Sequence, residues 1–504
     1  MRWALLAERR WLWLTVILGL MFHLWSVYSS DVGLDTHVRL VADGGSGTNP
    51  ALPWGGLRHA DQSSLGAGSV AYSGWVFPWT NTPLSFQLSS LGAVVGLMLV
   101  MALPLKHQMD KARFDPVWMI PVACSPVLVF STGRGYDEAM LALVMTVCLW
   151  WAWKTDDLRP QRPLPIYISL AFGCAVSVLW KGLGWIFGGL VFVVIILASL
   201  AWDRWWLSGC EWRGATRSTV HQHMLLGGFA AVAGVSVVGA ILAPGSFSII
   251  AERPLAYALS VLVAMLVGPA LYLLIGCLVW PFLRVVDRTT TPSWTTAYLA
   301  VFSGCLLGAI AAYTAVLWTF ESQLWEASLL ETMVRLGNNG RYVTLVLPPV
   351  LLMLKSAHGI SRTLPTASHR DLFVAVVAMV PFLLFVSMVG HQLWSVDAGE
   401  AMDNVLSEDQ TFILIAEPSL AMHHLYTMKA TMDVDGELNM TGVWVSEASF
   451  ASQPFTNDSA AAILVGPNID LDLAGQGWLL TEQSKVPLHV PGIQTGTWRL
   501  YVPA

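Results

Sequence analysis

Long apolar runs recur along almost the whole chain and stop near residue 393. The hydrocarbon core of a bilayer is about 30 Å thick, so a helix needs roughly 20 apolar residues to cross it. Cutting the apolar sequence at glycine, proline and charged clusters predicts eleven membrane-spanning helices and hence a polytopic helical bundle over residues 1–393. The runs lie near residues 11–28, 84–105, 116–132, 138–153, 166–180, 183–201, 225–244, 256–280, 296–318, 343–356 and 372–393.

The composition agrees with a lipid environment. Of the 504 residues, 55% are hydrophobic and 12% are charged, whereas a soluble globular chain carries about 25% charged residues. The formal net charge is -6 and the basic residues are scattered, so nucleic acid is not an expected partner. The six cysteines show no CxxC spacing, and neither a disulfide framework nor a zinc site is expected.

Lysine and arginine are concentrated in every second loop between the apolar runs, starting from Arg9 and Arg10. Because positively charged loops stay in the cytoplasm, this pattern predicts a cytoplasmic N-terminus and an extracytoplasmic tail after Leu393. Two glycosylation sequons, at Asn439 and Asn457, lie in that tail. The predicted location is a cell membrane, with many passes.

The pattern changes in the tail, residues 394–504. Short apolar runs such as TFILIAEP, AAAILVGP and TWRLYVPA alternate with Gly, Pro, Asn and Asp, which predicts several strands in a small soluble α/β domain. A helix is expected around Leu420–Met428. We expect its His423 and His424 to be exposed, because no further metal ligands accompany them.

Two predicted outer segments, 29–83 and 319–342, are longer than simple turns. The second contains ESQLWEASLLETMVRL, whose apolar residues at spacings of three and four predict one amphipathic helix at the membrane surface. Long ordered loops on one face are usually functional.

The first outer segment opens with SSDVGLDTHVRLVADGG. It places Asp31, Asp35, His37, Arg39 and Asp43 just beyond the first helix. The alternative interpretation is that these are solvated loop residues.

The loop STGRGYDEAML between the third and fourth runs places Arg134, Asp137 and Glu138 near the lipid headgroups. Ionisable residues at that depth are usually functional. The alternative is that Asp137 and Glu138 stabilise a helix N-terminus through the helix dipole.

Two further cations are predicted at the same boundary. Lys181 interrupts a long apolar stretch and predicts an outer hairpin; snorkelling to lipid phosphates is the alternative. Arg341 and Tyr342 begin GRYVTLVLPPVLLM, and here the alternative is anchoring to headgroups.

Together these carboxylates and cations suit group transfer from a lipid-linked phosphate. A sugar on a polyprenyl phosphate already carries a good leaving group. The reaction needs one base for the acceptor hydroxyl, and cations or a metal for the departing phosphate. Arginine pairs with phosphate through planar, bidentate donors.

The motifs resemble the membrane glycosyltransferases of the C-type (GT-C) fold. DTHVRLVADGG followed by NPALPWGG is similar to the first outer loop of that superfamily, and GRGYDEA to the second acidic motif of oligosaccharyltransferase catalytic subunits. GRYVTLVLPPVLLM resembles the Arg-Tyr helix of the dolichyl-phosphate-mannose and aminoarabinose transferases. The tail contains no WWDYG motif, which argues against a true oligosaccharyltransferase.

The resemblance implies a role for each matching residue. Asp35 is the implied catalytic base, Asp137 and Glu138 hold the acceptor or a metal, and Arg341 contacts the donor phosphate. If a divalent cation such as Mg²⁺ or Mn²⁺ binds, its implied ligands are Asp35, Asp137 and Glu138. The remaining candidate substrate-binding residues are His37, Arg39, Arg134, Lys181 and Tyr342.

The sequence therefore predicts transfer of a sugar from a polyprenyl-phosphate donor to a protein, lipid or glycan acceptor on the outer face. A transporter is one alternative. Transporters tend to show internal repeats and polar residues near the midplane, whereas here the charges cluster at one boundary. A non-catalytic membrane scaffold with an outer ligand-binding domain is the other alternative.

Overall fold

The structure is a computed structural model. It describes residues 2–34, 36–37, 83–103, 114–152, 163–180, 184–204, 217–242, 247–285, 294–358, 366–388, 393–407, 410–432, 441–452, 460–485 and 496–504. Six residues singled out by the sequence lie outside the described residues: Asp35, Arg39, Asp43, Lys181, Asn439 and Asn457.

Helices dominate the chain as far as residue 388. In chain order they are α1 (Arg2–Ser29), α2 (Pro83–Ala102), α3 (Pro116–Ala123), α4 (Pro126–Gly133), α5 (Glu138–Ala152), α6 (Leu164–Trp180), α7 (Gly184–Trp202), α8 (Arg217–Leu242), α9 (Ile249–Glu252), α10 (Pro254–Val267), α11 (Trp280–Val285), α12 (Trp294–Leu324), α13 (Leu329–Arg335), α14 (Leu347–His358) and α15 (Thr366–Met388). The first turn of α3 is a 3₁₀-helix. A π-helix, Gly268–Ile275, extends α10, and a 3₁₀ segment, Gly337–Val346, leads into α14.

All eleven predicted runs overlap helical structure. Among the described residues, six helices (α1, α2, α7, α8, α12 and α10 with its π extension) are long and apolar enough to cross a membrane. A seventh candidate span consists of α3 and α4, which meet at a bend of 61°. The bend has a local cause, because Ser125 caps α4 through Leu128 N and Pro126 has no N–H to continue the preceding helix. Since α5, α6 and α15 are apolar but shorter, eleven crossings remain a prediction.

Close packing of α8 on α12 depends on glycine. A Cβ atom on Gly308 would lie 2.1 Å from the carbonyl oxygen of Gly228, and one on Gly304 would lie 2.5 Å from that of Met224. Small residues of this kind let the backbones of membrane helices approach closely. Helix α12 also packs against α10 and α14.

The C-terminal domain contains a five-stranded sheet with helices on both faces. Its elements are α16 (Trp394–Asp403), β1 (Thr411–Ile415), α17 (Ala421–Met432), β2 (Thr441–Val445), α18 (Glu447–Ser452), β3 (Ala462–Val465), β4 (Trp478–Lys485) and β5 (Thr497–Pro503). The strand order is β2-β1-β3-β5-β4. Strand β1 pairs in parallel with β2 and β3, whereas β5 is antiparallel to β3 and β4. The fold is thus a mainly α polytopic membrane bundle with a small α/β domain.

The expected exposure of the histidine pair was wrong. His423 is 7% exposed and His424 is 2% exposed. The Nδ1 atom of His424 lies 2.9 Å from Ser395 Oγ, and its ring lies 4.6 Å from that of Trp394. Burial follows because α16 packs directly on α17.

The expected single amphipathic helix in 321–336 was also wrong. Its first part belongs to α12, which continues to Leu324. The chain then turns through Glu326, whose φ is +52°, and a new helix starts where Ser328 caps Glu331 N. A non-glycine residue at positive φ is unfavourable within a helix, so the periodic pattern is divided between two helices.

Candidate catalytic site at the domain-facing end of the bundle

The turn between α4 and α5 forms the base of the site. Gly135 has a φ of +66°, and a Cβ atom there would lie 2.8 Å from the Cβ of Phe86. Glycine is therefore required both by the backbone conformation and by the close contact with α2. The ionisable residues of this turn are nearly inaccessible: Arg134 is 2%, Asp137 4% and Glu138 0% exposed.

Asp137 occupies the position immediately before α5. Its carbonyl accepts the helical hydrogen bond from Leu141 N at 3.0 Å. This geometry is compatible with the alternative role as a helix N-terminal residue.

The loop after α1 docks on this turn. Gly33 N and Thr36 Oγ1 both donate hydrogen bonds to the carbonyl of Arg134, at 2.9 and 3.0 Å. A Cβ atom on Gly33 would lie 2.4 Å from the ring of Tyr136, so only glycine allows this approach. The sequence neighbour of Thr36 is Asp35, the implied base.

His37 lies in the same docked segment and is 4% exposed. Burial lowers the pKa of its imidazole to about 4, so the ring is neutral at pH 7. Its Nδ1 atom has no hydrogen-bond partner among the described residues. A neutral imidazole with an unused nitrogen can donate to or accept from a substrate hydroxyl.

Arg341 reaches the turn from the 3₁₀ segment. Its Nε donates to Glu138 Oε1 at 3.1 Å, and its Nη1 donates to Asn339 Oδ1 at 3.4 Å. The guanidinium carbon lies 4.0 Å from the ring centroid of Tyr136 and 4.9 Å from that of Tyr342. Arg341 is 1% exposed, so a buried ion pair between two cation–π contacts fixes its position.

Tyr272 of the π-helix holds the 3₁₀ segment in place. Its hydroxyl donates to the carbonyl of Gly337. Its ring lies against Gly340, where a Cβ atom would be 2.1 Å from the ring. The backbone that leads into Arg341 is therefore held against the ring and hydroxyl of Tyr272.

Arg134 is the second buried cation of the site. Its guanidinium lies 3.5 Å from the ring centroid of Phe130, and its Nη1 donates to the Phe130 carbonyl at 3.3 Å. Burial lowers the pKa of Arg134 to about 9, and the nearby Arg341 acts in the same direction, whereas Tyr136 and Asp31 oppose it. Two arginines within electrostatic range of each other favour an anion.

The structure thus brings together six of the nine residues that the sequence nominated. Tyr342 is 7% exposed and lies between Arg341 and Tyr313, whose ring centroid is 5.8 Å away. The other three nominated residues lie outside the described residues. The six are His37, Arg134, Asp137, Glu138, Arg341 and Tyr342.

No three His, Cys, Asp or Glu side chains converge as metal ligands within the ranges that the structure describes. Glu138 is engaged by Arg341. Asp137 and Glu138 therefore do not by themselves fit a divalent cation, and a need for Mg²⁺ or Mn²⁺ stays a prediction.

The sequence interpretation missed the aromatic partners of the two arginines. Phe130 and Tyr136 flank Arg134 in the sequence at spacings of four and two. That spacing is a usable signal, because a buried guanidinium can lie over an aromatic ring.

The C-terminal domain contacts the bundle at two places near the site, the loop after α1 and helix α13. Asp31 Oδ2 accepts a hydrogen bond from Leu393 N at 2.8 Å, just before α16. On the other side, Arg335 Nη1 lies 3.6 Å from Glu417 Oε2, and Leu420 packs in a cluster with α13. The domain therefore rests on the end of the bundle where the site lies.

No family profile matches the chain, and no curated protein matches it. Two solved structures are similar over nearly the full length: ArnT from Cupriavidus metallidurans in the apo state, and the same protein bound to undecaprenyl phosphate. The first is 13% identical with a TM-score of 0.41, covering 98% of both chains. The second is 14% identical with a TM-score of 0.40, covering 97% of this chain and 98% of the other.

Proposed function

We propose that this protein transfers a sugar from a polyprenyl-phosphate donor to an acceptor hydroxyl, on a protein, lipid or glycan, at the membrane face that carries the C-terminal domain. The observation that supports this most is the pair of buried arginines, Arg134 and Arg341, at the end of the bundle where the loop after α1 docks. Both guanidinium groups are nearly inaccessible, at 2% and 1% exposed, and each lies over an aromatic ring. Buried guanidinium groups offer the planar set of donors that pairs with a phosphate group.

The proposed reaction is a displacement at the anomeric carbon of the donor sugar. The acceptor oxygen forms a bond to that carbon while the bond from the carbon to the phosphate oxygen breaks. The acceptor proton passes to the carboxylate of Asp35, and the departing polyprenyl phosphate keeps the bonding electron pair. Arg341 and Arg134 stabilise the charge on that phosphate. Arg39 and Lys181 are proposed as further cations for the donor.

Glu138 is proposed as a positioning residue. Its Oε1 already accepts a hydrogen bond from Arg341 Nε, so Glu138 holds that guanidinium in place. The proposed base is therefore Asp35. Asp137, His37 and Tyr342 are proposed to shape the acceptor side, with His37 offering its neutral imidazole.

The test is sugar transfer by the purified full chain in lipid nanodiscs supplied with radiolabelled polyprenyl-phosphate sugars. Wild type should transfer label, and Asp35→Asn should be at least about 100-fold slower, since it keeps the size but removes the base. Asp403→Asn, which changes an exposed carboxylate on α16, is the matched control and should match wild type. Absence of transfer from every donor would overturn the proposal and favour the transporter or the scaffold.

Two further measurements assign roles within the site. Arg341→Lys keeps the charge but loses the planar set of donors, so the KM for the donor should rise about tenfold. Transfer before and after chelation tests the predicted need for Mg²⁺ or Mn²⁺.

A further inference from the structure

A second polar site lies in the C-terminal domain, where β3 and β4 end and β5 begins. It is a groove of about 670 Å³, within the range of roughly 300–1,000 Å³ typical of ligand sites. Residues that follow β3 form one wall, and the adjoining ends of β4 and β5 form the other. The charged and amide residues of its lining are Asn468, Asp470, Gln483, Lys485 and Arg499.

Most polar side chains of the groove make no hydrogen bond with other side chains in the part of the chain that the structure describes. Arg499 Nη2 donates to the carbonyl of Ile469 at 2.5 Å, but its buried Nε has no acceptor among the described residues. Four other lining side chains make no hydrogen bond or ion pair with any described residue: Asn468, Asp470, Gln483 and Lys485. Buried donors such as Arg499 Nε are normally paired, and the four other side chains are exposed. The groove therefore offers donors and acceptors that a ligand can reach.

Two backbone features shape the groove. Asn468 has a φ of +65° and Gly496 has a φ of +118°. A Cβ atom on Gly496 would lie 3.2 Å from the backbone nitrogen of Asn468. The turn after β3 and the start of β5 therefore lie against each other, and this contact closes one end of the groove.

The groove shares an edge of the sheet with the contact between the domain and the bundle. It lies at the edge where the parallel strands β1 and β3 end, and ligands of open α/β sheets bind outside this edge. Glu417 and Leu420 follow β1 at the same edge and contact α13. Since neighbouring strands are about 4.8 Å apart, the groove lies roughly 10–14 Å along this edge from the contact with the bundle.

The chemistry of the lining indicates the class of ligand. Arg499 and Lys485 match a carboxylate or phosphate, whereas the amides of Asn468 and Gln483 and the carboxylate of Asp470 can bond sugar hydroxyls. We propose that this groove binds a saccharide that carries a carboxylate or phosphate group. The ligand's role as the acceptor, held beside the membrane site, rests on the function proposed above.

The experiment measures binding of cellobiouronic acid and of neutral cellobiose to the full chain in nanodiscs of neutral lipid, by saturation-transfer NMR. The acidic disaccharide should bind and the neutral one should bind at least about fivefold more weakly, the factor expected for one exposed charge contact. Lys485→Gln should weaken binding of the acidic disaccharide about fivefold without affecting binding of cellobiose. Asp470→Asn should strengthen binding of the acidic disaccharide, because it removes a negative charge from the groove.

Glu482→Gln is the matched control, since this exposed carboxylate is on β4 but does not line the groove; binding should stay unchanged. Equal binding of the two disaccharides, or acid binding that survives both Lys485→Gln and Arg499→Gln, would overturn the proposal. Lys485 makes no described contact within the protein, so its replacement tests the groove even if Arg499→Gln fails to fold.

The binding assay contains no sugar donor and is therefore independent of transfer. One outcome is that the protein transfers no sugar but still binds cellobiouronic acid in a way that Lys485→Gln weakens. That result would support the groove as a binding site and contradict only its role as an acceptor site. Sugar transfer without charge-dependent binding would contradict the groove alone.

A second binding experiment adds a glycolipid with a glucuronate headgroup to the nanodisc. Release of bound cellobiouronic acid assigns the natural ligand to a membrane lipid, and retention assigns it to a glycan outside the bilayer.

Discussion

The carboxylate of Asp31 accepts a hydrogen bond of 2.8 Å from the backbone N–H of Leu393, 362 positions further along the chain. The bond joins the loop after α1 to the residue that precedes α16. Burial raises the pKa of Asp31 from 3.8 to about 6, and the negative charges of Glu400 and Asp397 add to this effect. The Leu393 N–H and Arg134 act in the opposite direction but do not cancel it.

Asp31 should make the protein more stable in mild acid. The folded state binds the Asp31 proton more tightly than the unfolded chain, so this contribution is complete below about pH 4 and is lost as the pH rises to about 6. Asp31→Asn removes the charge but keeps an acceptor for Leu393 N–H, and should stabilise the protein at pH 7 by about 3 kcal/mol. Thermal unfolding in detergent at pH 5 and 7 measures both effects. A variant less stable than wild type at pH 7 would contradict the assignment.

The buried pair of Arg341 and Glu138 should behave as one unit. Arg341→Gln or Glu138→Gln leaves one charge buried without its partner and should cost about 3–5 kcal/mol of stability. The double variant removes both charges and should lose much less than the sum of the single changes. A double-mutant cycle measured by thermal unfolding gives the coupling, and additive losses would exclude a direct interaction.

Gly33 should tolerate no side chain. A Cβ atom there would lie 2.4 Å from the ring of Tyr136, so Gly33→Ala should displace the loop from the Arg134 carbonyl and expose it to protease. Gly92→Ala is the matched control, because nothing lies within 4 Å of its Cβ position; in the middle of α2 it should be neutral or stabilising by up to about 1 kcal/mol. Limited proteolysis distinguishes the two, and equal cleavage would show that the loop does not depend on this contact.

The ion pair of Arg335 and Glu417 should guide how the domain rests on the bundle. Both side chains are about one-third exposed, so each single charge reversal should cost at most about 1 kcal/mol of stability. Arg335→Glu should increase proteolysis between the bundle and the domain, and adding Glu417→Arg should restore protection. Failure of the charge swap to restore it would mean that Glu331, which also pairs with Arg335, is the more important partner.

At the opposite end of the bundle, Lys355 fastens the end of α2. Its Nζ donates to the carbonyls of Met101, at 2.7 Å, and Leu103. Lys355→Met should leave these carbonyls without a donor and lower stability by about 1–3 kcal/mol, whereas Lys355→Arg should recover part of the loss. Thermal unfolding measures the series, and a methionine variant as stable as wild type would contradict the role.

The sequence predicts the helical bundle well because a bilayer sets the length and polarity of each spanning element. The same rule explains why Arg134, Asp137, Glu138 and Arg341 stand out, since charges near lipid are rare. It does not predict which of them pair. The contact between Glu138 and Arg341 depends on how α5 and the 3₁₀ segment meet in three dimensions.

Other features were hidden because their signals are not local. The periodicity of residues 321–336 fits one helix, but the left-handed backbone at Glu326 divides it. His424 was expected to be exposed, because the sequence of α17 does not indicate that α16 packs over this histidine. The hydrogen bond from Leu393 to Asp31 uses the backbone N–H of Leu393 as its donor, and a pattern of side chains in the sequence does not reveal such a donor.

The long separation between Asp31 and Leu393 has a consequence for biogenesis. A ribosome releases Asp31 early and its partner only after every bundle helix has been synthesised. Until then the loop after α1 has its contacts to Arg134 but lacks the hydrogen bond from Leu393. The contacts around the candidate site are therefore completed late in synthesis. A nascent chain that is truncated just before Leu393 contains all the bundle helices but lacks this hydrogen bond.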